Sequence, residues 1–284
     1  MRRRFYQNNT KIDYFTINAV EDTTFSYTNR LLGCFIDEDE WFDIDMNESI
    51  FIEGGRGIKI KSKNTTTIQT FGRFSISGLC DITGEILSIT PGYTKDGLCP
   101  HLSYLFSGCT GIRDINESFL PFTNLIEGCY AGMFHSCSSL TTAPQLPATK
   151  LAKRCYEHMF HGCSSLTRAP ELPATTLTES CYNCMFQGCT SLTTAPELLA
   201  TTLVDGCYIQ MFYGCISLNY IKAMFITSPY TTSSDDYFGA HYIYTDEWVY
   251  GVASSGTFVK NKNAAWVGSP RVDAIPEGWD VIKI

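Results

Sequence analysis

Cysteine is the residue type that could carry most chemistry in this chain. There are 13, and nine fall into two columns: Cys129, Cys155, Cys181 and Cys207, and Cys109, Cys137, Cys163, Cys189 and Cys215. A disulfide between stacked copies needs Cα atoms about 4.4–6.8 Å apart and a torsion of about 90°, which is awkward when the side chains of a column point the same way. Zinc needs four convergent ligands. Cys181-x-x-Cys184 supplies half of such a set, but the place of Cys184 is taken by Gly132, His158 and Gln210 in the other copies. A cysteine nucleophile needs a depressed thiol pKa, which a buried apolar cysteine does not have. We read both columns as a structural ladder of small buried thiols, each a weak S–H donor aimed at neighbouring backbone.

Other residue types offer less. His158 and His161 stand three apart, with His135 in the preceding copy, a set able to hold a transition metal weakly. As variable repeat positions on an exposed face they are read as surface residues. The acidic run Asp37-Glu38-Asp39-Glu40 lacks the spacing of an EF-hand and reads as a solvated turn. No nucleophile elbow, phosphate loop or paired metal-ligand motif is present. We therefore expect no catalytic residue, no metal ligand set and no cofactor, and read the chain as a non-enzyme.

The elements that position these residues are set by a repeat. Cys-Tyr recurs at 129, 155, 181 and 207, and Met-Phe at 133, 159, 185 and 211, a period of 26 residues. Residues 151–176 and 177–202 share 17 identities in 26. A degenerate copy lies upstream, with Leu105-Phe106 for Met-Phe. Within a copy, Leu177, Cys181 and Met185 fall at i, i+4 and i+8, and Tyr182 and Phe186 form an adjacent pair, which predicts one buried stripe on a short helix. Thr178 can cap its start, and Gly188 suits the left-handed residue that ends it. Phe134, Phe160, Phe186 and Phe212 then make an inward column. Cys189 to Pro196, rich in Thr, predicts a short strand. A unit this small cannot bury both apolar faces alone, so successive units must stack.

The motif Cys-Tyr-x-x-Met-Phe-x-Gly-Cys-x-Ser-Leu-Thr-x-Ala-Pro-x-Leu-Pro-Ala-Thr-x-Leu resembles the BspA-like (treponemal-type) bacterial surface leucine-rich repeats, over roughly residues 99–224. The resemblance implies a leucine-rich-repeat fold, a location at the bacterial cell surface, and a role in adhesion or protein binding.

The fold expected is α+β. A five-coil leucine-rich-repeat solenoid (99–224) lies between an N-terminal β-rich, sandwich-like domain and cap (1–98) and a β-rich C-terminal cap (225–284) with hairpin spacing. The stretch Cys80 to Ile89 is expected to dock on the first coil and cover its open edge. The formal charge of −8, from 29 acidic and 21 basic residues, gives no field that attracts nucleic acid. No run of 18 apolar residues exists, so no membrane-spanning helix is expected. Polar residues from Gln7 to Asp13 interrupt the apolar run that a signal peptide needs after Arg2-Arg3-Arg4.

Two functions follow as expectations. The first is binding of a protein or glycan through the exposed strand face, whose repeat register aligns Asp114, Thr142, Arg168, Thr194 and Tyr220. The second is a structural or receptor-binding component of a phage or prophage particle, with Arg2 to Tyr6 as an anchoring arm.

Overall fold

The structure is a computed structural model that describes residues 14–29, 31–38, 40–63, 72–229, 244–266 and 275–284. The proposed anchoring arm and Asp39 of the acidic run lie outside the described residues. Among the described residues no helix is long and apolar enough to cross a membrane.

Among the described residues the N-terminal part has eight strands: β1 (Phe15–Ala19), β2 (Thr23–Tyr27), β3 (Leu31–Phe35), β4 (Phe42–Ile44), β5 (Ile50–Ile52), β6 (Gly57–Ser62), β7 (Phe74–Ser77) and β8 (Cys80–Gly84). Alternation sets the buried face: Phe74 and Ile76 of β7 are buried while Ser75 and Ser77 are exposed, the pattern of a sheet covered on one side. One sheet has the order β5-β2-β7 with antiparallel pairs. The other runs β4-β3-β6-β1-β8 and continues into β9 (Ile112–Ile115) of the first repeat copy. The β8–β9 pair is parallel, so the edge of the first copy is covered by Cys80 to Ile82. Phe15 joins the two cores, packing edge-on against Phe74, Phe106 and Phe119.

The α+β solenoid expected from the repeat is corrected here: the described chain is strand and turn. It contains no α-helix, and its two short 3-10 segments, Ile86–Ile89 and Glu117–Phe119, lie outside the stretches where the helices were expected. In the segment around Cys181 the backbone turns every four residues. The N–H groups of Cys181, Asn183, Met185, Gln187 and Cys189 donate locally, to the carbonyl three residues back. Those of Ser180, Tyr182, Cys184, Phe186 and Gly188 donate instead to Asp205, Cys207, Ile209, Met211 and Tyr213 of the next copy. An α-helix would keep all of them within the segment, at i−4. Every fourth residue is left-handed: Ser180 (φ 54°), Cys184 (53°) and Gly188 (72°), and likewise Arg154, His158 and Gly162. Thr178, expected as a helix cap, offers its carbonyl to Cys181 in the first of these turns. A repeat of 4.0 residues and one of 3.6 place i, i+4 and i+8 on the same face over so short a stretch, which is why the pattern reads as helical.

Successive copies are held in register by this axial bonding and by like-on-like ring stacking. Phe106, Phe134, Phe160, Phe186 and Phe212 stack with centroids 5.7–5.8 Å apart. Tyr130, Tyr156, Tyr182 and Tyr208 follow at 5.8–6.0 Å. Trp248 closes both columns, 6.3 Å from Tyr208 and 6.1 Å from Phe212.

The strand expected in every copy is also corrected. Thr142, Arg168 and Thr194 form isolated parallel bridges. Only β9 and β10 (Tyr220–Ala223), in the outer copies, extend to four residues. The difference has a local cause: Pro144, Pro170 and Pro196 stand two residues after the bridge and lack an N–H, whereas Asn116 and Lys222 hold that place in the outer copies. Of the C-terminal strands, β11 (Thr257–Lys260) pairs in parallel with β10 and β12 (Asp280–Lys283) in parallel with β11, not as hairpins.

Candidate functional site

The parallel bridges build the site. Asp114 pairs with Thr142 and Thr142 with Arg168, and Thr194 pairs with Tyr220, so the five residues expected to align are joined in two bridged runs, each continuing from copy to copy. Asp114, Arg168 and Thr194 are exposed, and Thr142 and Tyr220 are half-buried. Of the residues that follow them, Ile115, Ala143, Ala195 and Ile221 are buried, whereas Thr167, Thr193 and Asn219, which precede them, are exposed. The column extends beyond the repeat, through the Asp81–Asp114 pair at one end and the Tyr220–Thr257 and Thr257–Asp280 pairs at the other. Those three residues were missed in the sequence because the flanks do not share the 26-residue period.

Charges beside the column are mostly neutralised. Arg113 grips Asp81 with two contacts, Nε to Oδ1 at 3.0 Å and a terminal nitrogen to Oδ2 at 2.6 Å. Lys222 pairs with Glu197 at 2.9 Å. The hydroxyls of Thr141 and Thr167 donate along the axis to the carbonyls of Arg113 and Thr141. Among the described residues, Arg168 and Tyr220 have no ion pair or side-chain hydrogen bond, so their polar groups face solvent unclaimed. The arrangement can offer a guanidinium, a phenol and hydroxyls to a ligand at a regular strand spacing of about 4.8 Å.

The cysteine columns face the interior. The twelve cysteines from Cys80 to Cys215 are buried and unbridged. The thiols of Cys109, Cys137, Cys163, Cys189 and Cys215 donate to the carbonyls of Phe74, Phe106, Phe134, Phe160 and Phe186, at 3.0–3.3 Å. Of the other column, Cys207 lies 3.9 Å from the carbonyl of Tyr244. Cys129, Cys155 and Cys181 are likewise fully buried. Burial pushes Cys109, Cys163 and Cys215 up to about 12 and Cys181 to about 11, from an ordinary 9.0. Such thiols stay protonated and make poor nucleophiles. Cys184, raised to about 12 by burial and by the nearby Glu157, is no exception.

On the turn side of the copies the structure brings three histidines together. The rings of His135 and His161 stack at 4.6 Å, and Nδ1 of His158 lies 3.4 Å from Nδ1 of His161. Partial burial, then the neighbouring imidazoles, lower His161 to about 4 and hold it neutral at pH 7. Among the described residues no three His, Cys, Asp or Glu side chains converge as a metal-holding group. Set against known proteins, the chain matches no family model, no curated protein and no solved structure.

Proposed function

We propose that this chain is a non-enzymatic binding protein that engages a protein or glycan through the column Asp114, Thr142, Arg168, Thr194 and Tyr220. The observation that carries the reading is the linking of these positions from copy to copy by parallel bridges, in the runs Asp114–Thr142–Arg168 and Thr194–Tyr220, with Arg168 and Tyr220 left without an ion pair or side-chain hydrogen bond among the described residues. Arginine and tyrosine are the residue types most often found as interface hot spots. The likeness of the repeat motif to the BspA-like surface repeats supports the same role, adhesion at a bacterial surface. The protonated, buried thiols support a non-catalytic reading of the cysteines.

The test is capture of ligand by the whole chain on a glycan array and by protein pull-down. Arg168→Glu with Tyr220→Ala should abolish capture and leave the melting temperature within a few degrees, because neither side chain is part of the core. Lys150, bridged to Asn124 in another column, and Lys153, paired with Glu179 at 2.8 Å, supply the control. Loss of capture in a Lys150→Glu/Lys153→Glu variant, with the strand variant binding normally, would move the site off this column.

A further inference from the structure

We propose that His158 and His161 chelate one divalent ion of the late first-row transition metals, with water completing its coordination. Two imidazole nitrogens each about 2.0–2.1 Å from a common ion, at a tetrahedral angle, stand about 3.4 Å apart. The two Nδ1 atoms stand 3.4 Å apart in this structure. Both histidines belong to one four-residue turn, whose left-handed first residue is His158 (φ 55°) and whose next two residues, Met159 and Phe160, are anchored in the core. The backbone under the pair is therefore fixed. The rings are held from the side as well: His161 stacks on His135, and Nδ1 of His135 is engaged by Oγ of Ser136 at 2.9 Å.

Without metal the facing Nδ1 atoms share a single proton, and one ring must be the Nε2–H tautomer for them to approach at all. With metal, both Nδ1 lone pairs bind and both rings carry the proton on Nε2, so no net proton is released from a neutral pair. The remaining positions stay open, since no third protein ligand converges among the described residues. Cys184, in the next copy, remains a protonated thiol beside Asn183 and Gln210. Glu157 is turned toward Arg154, at 3.9 Å. Imidazole donors with open positions suit Cu2+, Ni2+ and Zn2+, and do not suit Mg2+ or Ca2+.

Isothermal titration of the whole chain at pH 7.5, with Ni2+ alone and then Mg2+ alone, tests the site. One Ni2+ per chain is expected, with no heat from Mg2+. His158→Asn and His161→Asn should each weaken Ni2+ binding about ten-fold or more. Asparagine tolerates the left-handed backbone at 158, so the turn is kept, and circular dichroism checks it. His101→Asn, at an exposed position outside this turn, should leave the affinity unchanged. Binding by the wild type that is not saturable, or equal Ni2+ affinity in the His158→Asn/His161→Asn double variant, would overturn the proposal.

Discussion

Phe186 lies between Phe160 and Phe212, with ring centroids 5.7 and 5.8 Å away and no exposed surface. Removing the ring leaves a void that flanking rings, locked in their own copies, cannot fill. Phe186→Ala is expected to lower stability by about 3–5 kcal/mol in denaturant unfolding; a loss below about 1 kcal/mol would show the column to be loosely packed. The neighbouring tyrosine column behaves differently. The hydroxyl of Tyr156 is buried with no hydrogen-bond partner, so it contributes a desolvation cost with no bond to offset it. Tyr156→Phe is therefore expected to be neutral or stabilising by up to about 1 kcal/mol, measured in the same way.

The four-residue turn is the element that sequence reasoning misread. Identical residues at fixed spacing made the register of the copies legible, and the alternation of Thr24 and Ser75 with buried aromatics made the strands before them legible. The turn itself was not, because apolar residues at i, i+4 and i+8 satisfy both a helix and a chain of four-residue turns. The sign that separates them is backbone handedness at residues such as Arg154, His158, Ser180 and Cys184, which have no composition in common. The left-handed conformation costs an L-residue about 1–2 kcal/mol. Ser180→Gly removes that cost against about 0.5–1 kcal/mol of added chain entropy on unfolding, so it should stabilise by about 0.5–1 kcal/mol. In a helix the same change would destabilise by about 0.5 kcal/mol. Thermal melts of the two proteins decide the sign. The proline effect was closer to hand: Pro144, Pro170 and Pro196 are plain in the sequence, and their missing N–H is why the central strands shrink to single bridges.

At the scale of the molecule, one buried interior runs from Phe15 to Trp279, and thiols line much of its middle. Their folded pKa values are raised above the unfolded 9.0, so the folded state holds more protons than the unfolded one above that pH. The stability they contribute is full below pH 9 and falls as pH rises toward about 11–12. A melting temperature that drops progressively between pH 9 and 11, in the presence of reductant, is the expected outcome, and a flat profile would contradict the buried ladder. Thiol titration of protein unfolded without reductant should find all 13 cysteines, and fewer than about ten would point to disulfides.

The outer parts of the candidate site were not legible, since Asp81, Thr257 and Asp280 join the column only through strand pairing of chain segments that share no motif. Hydrogen exchange of the whole chain, with and without its captured ligand, tests the binding column most directly. Slower exchange is predicted in peptides around 112–116, 140–144, 166–170, 192–196 and 218–222, spaced by the repeat, with those around 128–136, 154–162 and 180–188 unchanged. Protection confined to the second set, with the first unchanged, would contradict the account.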